Sequence, residues 1–447
     1  MAPSKRGLLI AASGIALALL PALVSPALWI AWVFFWAILL FLLGLDAALT
    51  LRAGAIKAEL QSPGQAGAAA APGAPRTLYV GAAHPVLLRL SAPHLRAAEG
   101  LVALDLSETL APQPPRPAQL GPDAPPVEFQ LSPTRRGPAE VDAAWVRYEG
   151  PLGLILRTAR VPLDEPLRVV ANTPAVRAAA LKFFGQREQA TGLKIERFLG
   201  DGTEFDALRE FMPGLDRRAI DWKASARHTK LLAREHRAER SHQIVLAIDT
   251  GRLMAEPLAG VPRLDHAVHA ALLLAFVSAR AGDRVSLFAF DERPRVYLAP
   301  RSGVAGFRAV LERTGELAYC TAETNYTLGL TELMSRLTRR SLVIVLTDFV
   351  DTVTAELMVE NVTRLSRRHL VVFVALRDPL FAELAGAAPR SMLDVHRAVV
   401  ADALLFDREV VLKRLARKGV LCVDATPGRV GPDLVNRYIE IKRRELI

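Results

Sequence analysis

Residues 243–253 read Gln-Ile-Val-Leu-Ala-Ile-Asp-Thr-Gly-Arg-Leu. An unbroken apolar run closes on Asp249 and turns at Thr-Gly, which is how a buried strand ends. Further apolar runs follow at Arg284–Phe290, Leu342–Asp348, Leu370–Leu376 and Val420–Val423. Amphipathic stretches at 263–281, 303–314, 327–339, 354–368, 404–418 and 431–444 separate them. Strands without polar alternation need cover on both faces, and the intervening stretches have helical period. The pattern predicts a doubly wound, mostly parallel α/β sheet over 242–447. Functional groups in such sheets gather at the carboxyl ends of the strands.

Three polar groups fall at those ends: Asp249, Thr324 in Glu323-Thr324-Asn325, and Asp348 in Thr347-Asp348-Phe349. Their order resembles the three loops of a metal-ion-dependent adhesion site in a von Willebrand factor A-like (Rossmann-like) domain. The intact motif adds hydroxyls two and four residues after the first Asp, because a hard cation such as Mg²⁺ needs about six oxygens. Here those positions are Gly251 and Leu253, which carry no side-chain oxygen. The site Asp249, Thr324, Asp348 is therefore read as degenerate, with no metal expected beyond weak Mg²⁺ binding through waters. The carboxylates are left to cap their own turns, to pair with an arginine such as Arg252, Arg217, Arg218 or Arg227, or to form a protein-partner surface of Asp249, Thr324, Asp348 and Arg252.

At the other end of the chain, Leu8–Val24 and Ala27–Leu45 are apolar runs of near-spanning length, broken by Ser25-Pro26. Lys5 and Arg6 precede the first, and Arg52 and Lys57 follow the second. Positive flanks on both outer ends predict a transmembrane helical hairpin over 1–52 in the inner membrane, with both termini cytoplasmic. A cleaved signal peptide ending near Ser25 is the competing reading. Residues 53–76 read as a low-complexity linker. Short β-like runs between Leu78 and Val170, punctuated by Pro and Gly, predict a small all-β sandwich over 77–172.

Residues 202–240 form a connecting segment of unusual content. Glu204-Phe205, Leu208-Arg209-Glu210-Phe211, Pro213-Gly214, Asp216, Arg218, Ile220-Asp221-Trp222-Lys223, Ser225-Ala226-Arg227 and Leu231–Glu235 resemble the hallmark of the bacterial family called domain of unknown function 58. Arg135-Arg136-Gly137 and Pro151-Leu152-Gly153-Leu154 resemble its β-rich part. The resemblance implies a membrane anchor, a β-rich domain, a connecting segment here placed at 173–241, and an A-like domain. It also implies a partner, since members are commonly encoded beside MoxR-type AAA+ ATPases. The residues themselves allow an ion-pair cluster of Asp216, Arg218 and Asp221, with Trp222 as an apolar anchor and Arg227 adding positive charge. Such a segment serves as a latch between domains or as a docking surface.

The chain carries a formal charge of +10, with 56 Lys and Arg against 46 Asp and Glu. That balance admits anionic lipid as a partner. Nucleic acid is not expected, since no zinc spacing, RNA-recognition signature or aromatic-laced basic stripe is present. Two cysteines, Cys320 and Cys422, make neither a disulfide framework nor a zinc site. His228, His236 and His242 lie close in sequence but share no helix face. No nucleophile elbow, zinc-protease helix or phosphate loop occurs. No enzyme and no cofactor are expected. The sequence reads as a membrane-anchored, cytoplasm-facing adaptor or scaffold. A metal-dependent adhesion module and an enzyme using the Asp/Arg/His cluster are the alternatives.

Overall fold

The computed structural model of the 447-residue chain describes residues 2–18, 28–50, 56–61, 76–92, 98–122, 124–191, 199–211, 220–228, 230–237, 242–350, 352–353 and 355–446. It divides into two compact units, Met1–Val170 and Ala171–Ile447.

The first unit opens with a two-residue strand β1 (Ala2–Pro3) and two helices, α1 (Lys5–Leu17) and α2 (Leu28–Leu49). Ser4 caps α1, its Oγ accepting the Gly7 N–H at 3.0 Å. Trp32 Nε1 donates to the Gly14 carbonyl at 2.9 Å and holds the two helices together. Among the described residues, one helix, Trp29–Leu49, is long and apolar enough to cross a membrane. The expected turn at Ser25-Pro26 lies outside the described residues.

The strands that follow are β2 (Lys57–Gln61), β3 (Arg76–Tyr79), β4 (His84–Ser91), β5 (Ala98–Leu106), β6 (Arg116–Leu120), β7 (Val127–Leu131), β8 (Gly137–Glu149) and β9 (Ile155–Val170). They form one sheet in the order β1-β9-β8-β5-β6, with β3 parallel to β9, and a second in the order β2-β4-β7. Alternate residues are buried along them: Val86, Leu88 and Leu90 on β4, Phe129 and Leu131 on β7, Val141, Ala143 and Tyr148 on β8. The linker expected over 53–76 is corrected here, because Lys57–Gln61 pairs with β4. Lys-Ala-Glu-Leu-Gln buries only Leu60, too weak a pattern to read as a strand in isolation.

The tip of the long β8–β9 hairpin is clasped by the two helices. Asp46, fully buried near the end of α2, accepts N–H bonds from Leu152 at 2.8 Å and from Leu154 and Ile155 at 2.9 Å. Ser4 Oγ donates to the Gly153 carbonyl at 2.6 Å. A Cβ at Gly150 would stand 2.4 Å from Asp46 Oδ1, so glycine is what lets the tip reach the carboxylate.

The second unit begins with α3 (Thr173–Thr191), followed by an antiparallel pair, β10 (Leu199–Glu210) and β11 (Leu232–Arg237), with α4 (Trp222–His228) between them. Then come β12 (Gln243–Asp249), α5 (Arg252–Ala255), the small pair β13 (Pro257–Leu258) and β14 (Val261–Pro262), α6 (Arg263–Arg280), β15 (Arg284–Phe290), β16 (Pro294–Ser302) and α7 (Gly303–Gly315). The chain continues as α8 (Tyr326–Arg336), β17 (Leu342–Leu346), α9 (Glu356–Ser366), β18 (Leu370–Leu376), α10 (Pro379–Gly386), α11 (Met392–Arg417), β19 (Leu421–Ala425) and α12 (Val430–Arg443).

Six strands form the sheet β16-β15-β12-β17-β18-β19, parallel except for the edge strand β16. All seven residues of β12 are buried, as a central strand covered on both faces requires. Ile244, Leu246 and Ile248 pack with α6, α7 and α12, while Val245 and Ala247 pack with α8, α9 and α11. Two features depart from the expected alternation. Edge strand β16 returns antiparallel after a three-residue turn; its Pro294, Arg295 and Arg301 suit an exposed edge and hide its strand character. Residues 379–403, given no element by periodicity, form α10 and the first half of α11.

Candidate functional site

The strand order places β12 and β17 side by side, and their carboxyl ends carry Asp249 and the Thr347-Asp348 pair. Three hydrogen bonds draw the neighbouring loops onto this edge. Thr250 N–H donates to Phe290 O at 2.8 Å, Arg252 N–H to Ala322 O at 2.8 Å, and Asn325 N–H to Asp291 O at 2.9 Å. Asn325 also caps α8 by accepting the Leu328 N–H at 3.0 Å, which fixes Thr324 one residue outside the helix.

Asp249 is almost wholly buried, and protein donors occupy both its oxygens. Oδ1 accepts the Gly251 N–H at 2.8 Å and the Thr324 hydroxyl at 2.7 Å. Oδ2 accepts the Thr347 hydroxyl at 2.6 Å, and the Tyr326 hydroxyl lies 3.2 Å from the same oxygen and 2.9 Å from Thr347 Oγ1. Burial lifts the Asp249 carboxyl above the usual carboxylate range, against the pull of these bonds. Burial, reinforced by the Asp249 charge, holds the Tyr326 hydroxyl protonated well above the ordinary phenol range.

Asp348 is also buried, but its partners are cations. Arg263 Nε meets Oδ2 at 3.0 Å and Arg408 Nη1 meets Oδ1 at 2.8 Å. Oδ1 also accepts the Phe349 N–H at 3.0 Å. Arg408 continues to Asp424 Oδ1, at 3.1 Å from Nε and 3.0 Å from Nη2, while Arg377 Nε holds Asp424 Oδ2 at 2.8 Å. The Arg408 guanidinium lies over the Phe349 ring, 5.2 Å from its centroid. Burial alone would make Arg408 easier to deprotonate, yet Asp348 and Asp424 outweigh it and raise its pKa.

These contacts give both carboxylates a full set of partners. Thr347 and Tyr326 supply the hydroxyls that positions 251 and 253 lack. The pairing expected of Arg252 differs: its exposed side chain binds Glu323 at 2.8 Å and Glu256 at 3.3 Å, and Asp348 takes Arg263 and Arg408 instead. Every Asp249 and Asp348 oxygen already accepts an N–H or O–H, and two guanidinium charges stand at Asp348. Among the described residues no group of three or more His, Cys, Asp or Glu is placed to hold a metal ion.

Gly251 has a steric reason to lack a side chain. A Cβ there would lie 2.0 Å from Thr324 Oγ1, so a side chain at this position must displace the hydroxyl that holds Asp249.

The described residues of the connecting segment make contacts of their own. Asp221 caps α4, its Oδ1 accepting the Ala224 N–H at 3.0 Å. Trp222 was expected as an apolar anchor, but its ring is exposed on the first turn of α4, and Arg227 is exposed further along. Asp216, Arg217 and Arg218 lie outside the described residues. Of the three histidines, His242 sits against buried Asp283, with Nδ1 to Oδ1 at 3.5 Å. Both cysteines are free and half-buried, and burial pushes the Cys422 thiol up to about 11.

A family model described as "Protein of unknown function DUF58" matches residues 207–412, from the connecting segment through most of α11. The proteins called Uncharacterized protein Rv1480 of Mycobacterium tuberculosis and Uncharacterized protein Mb1516 of Mycobacterium bovis are 22% identical over 205 residues, 45% of this chain. The chain spans 64% of the length of these relatives. The solved structure of a conserved hypothetical protein BatB from Bacteroides thetaiotaomicron aligns with 44% of this chain and all of its own, at 13% identity and TM-score 0.28. An uncharacterized membrane spanning protein from Vibrio fischeri aligns with 46% of this chain and all of its own, at 18% identity and TM-score 0.17. Scores this low leave the fold to be read from the topology above.

Proposed function

We propose that this chain is a non-catalytic, membrane-anchored adaptor, whose second unit is a von Willebrand A-like domain turned from cation binding to protein contact. In this reading α1 and α2 form an inner-membrane hairpin with both ends cytoplasmic, and the partner is a MoxR-type AAA+ ATPase. The observation that carries the reading is the strand-end cluster. Asp249 and Asp348 are consumed by internal donors, while the loops and helix starts beside them carry exposed apolar side chains. Val353 is 83% exposed, and Leu328, Val350 and Leu357 are also exposed on the loops and helix starts beside it. The exposed Arg252–Glu323 pair adds a polar edge. An apolar patch rimmed by charge is the surface expected of a protein contact.

The test is binding of the full chain, in nanodiscs, to its purified cognate ATPase with ATP or ADP. Association that weakens about tenfold in Val353→Glu/Leu357→Glu, without a change in thermal stability, is the expected result. No association under either nucleotide overturns the ATPase reading. Association that ignores the two substitutions overturns the assignment of the face.

A further inference from the structure

The root of α11 is fixed at the strand ends, because Arg408 binds both Asp348 and Asp424. Residues 392–407 therefore run past the carboxyl edge of the sheet for about 24 Å at the helical rise. They pack against α10, which has no buried residue of its own, and Ala401, Val411 and Leu415 are the buried residues of α11. On the side opposite these three runs an apolar stripe: Met392, Val395, Val399, Ala403, Phe406 and Val410. Met392 is 74%, Val399 64% and Phe406 65% exposed. Their spacings of three, four, four, three and four keep the stripe on one face for about five turns, the pattern by which one helix packs along another.

The charge beside the stripe selects what covers it. Asp402 lies on one edge and Asp407 on the other, while Glu409 beside Asp402 is paired with Lys413 at 2.7 Å and Arg397 and Arg408 sit on the opposite side of the helix. Residues 379–407 carry four acids (Glu383, Asp394, Asp402, Asp407) and two bases (Arg390, Arg397), a net charge of −2 in a chain of +10. An acidic edge disfavours an anionic lipid surface. It also disfavours a second copy of the same stripe, which would set acid against acid. We infer that the projecting α10–α11 arm is a docking surface for an amphipathic helix with basic flanks, supplied by another protein and laid along α11. This surface is separate from the strand-end rim, and the inference does not depend on the ATPase reading.

The probe is a synthetic, fluorescently labelled peptide with leucines at the same three–four spacing and lysines elsewhere. It is titrated against the full chain in zwitterionic nanodiscs, with empty nanodiscs as blank. Controls are the same peptide with glutamate for lysine and one with the leucine spacing scrambled. The basic, correctly spaced peptide binds, and both controls bind at least about tenfold more weakly. Val399→Glu/Phe406→Glu abolishes binding at unchanged thermal stability, and Asp402→Lys/Asp407→Lys shifts preference toward the glutamate peptide. Equal binding of all three peptides, or binding indifferent to Val399→Glu/Phe406→Glu, overturns the inference. So does a dimer by light scattering, or binding to anionic vesicles, that is lost in that variant while peptide binding is absent.

Discussion

Gly251 is the position where the strand-end geometry makes its sharpest demand. Replacing it with alanine puts a Cβ 2.0 Å from Thr324 Oγ1, where ordinary contact begins at 3.4 Å. Thr324 must rotate away, breaking its 2.7 Å bond to buried Asp249. A hydrogen bond to a charged, desolvated acceptor is worth about 1.5–3 kcal/mol, and the residual crowding adds about 1 kcal/mol. Gly251→Ala is therefore expected to cost about 3 kcal/mol, or roughly 6–12 °C in the melting temperature of a unit this size. Thr324→Ala alone costs about 2 kcal/mol, for the bond only. The double variant costs little more than Thr324→Ala, because the obstructing hydroxyl is gone, so the cycle shows a coupling of about 2.5 kcal/mol. Thermal unfolding of the full chain in non-ionic detergent measures all four proteins. Additive losses within about 0.5 kcal/mol would refute the steric argument. So would a Gly251→Ser protein that melts like the parent and gains stability from millimolar magnesium, since that would mean the cation site is only one hydroxyl from intact.

The other predictions concern charge and the clasp. Arg408→Met strips a guanidinium from buried Asp348 and half-buried Asp424, and is expected to cost about 3 kcal/mol in thermal unfolding; a loss under about 1 kcal/mol would show that Arg263 and Arg377 suffice. Burial holds the Asp249 carboxyl above its ordinary 3.8, so the folded chain keeps this proton more tightly than the unfolded one. Stability relative to Asp249→Asn should then rise as pH falls through the raised folded value and level off below about 3.8, and the opposite slope in paired melts would refute the assignment. Asp46→Ala leaves three N–H groups of the hairpin tip, two of them buried, without their acceptor and should cost about 3 kcal/mol, read as faster proteolysis of the 150–155 tip in nanodiscs.

How much of this was legible from the residues depended on whether a signal was local. The central strands were, because an all-buried run such as Gln243–Asp249 announces itself without reference to its neighbours. Asp249, Thr324 and Asp348 were legible as strand-end groups, and the sheet order brings Asp249 and Thr324 into direct contact. Their true partners were not. Arg263 lies 85 positions from Asp348 and Arg408 lies 60 from it, and no pattern in either stretch marks an arginine as turned inward. Tyr326 and Thr347 were in plain view as hydroxyls beside the motif, and a search for replacement oxygens in the other loops would have found them. The α10–α11 arm escaped because its apolar residues face outward as well as inward, which blurs the period. Its ends were nevertheless written in the chain: Asp378 before Pro379 is a cap followed by a first-turn proline, and Ser391 with Asp394 is a start signal of the capping-box kind.

The exchange of a cation for two arginines changes what the strand ends can transmit. A bound ion comes and goes with solvent composition, whereas Arg263 and Arg408 are tethered to helices in different layers. Arg263 begins α6, which packs on the Ile244–Ile248 face, and Arg408 belongs to α11, which packs on the Val245–Ala247 face. Asp348 thus ties both helical layers to the end of β17 through one buried and one half-buried ion pair. The projecting arm begins at one of those pairs. Load placed on its outer stripe is delivered at Arg408 to Asp348 and Asp424 before it reaches any part of the apolar core. If the arm docks a helix, occupancy should therefore be felt at the strand ends: slower amide exchange at Phe349, whose N–H is bonded to Asp348, on binding the basic peptide, and no such change in Arg408→Met. Protection at Phe349 that is equal in both proteins would mean the arm moves without the site, and that the arginine cluster serves stability alone.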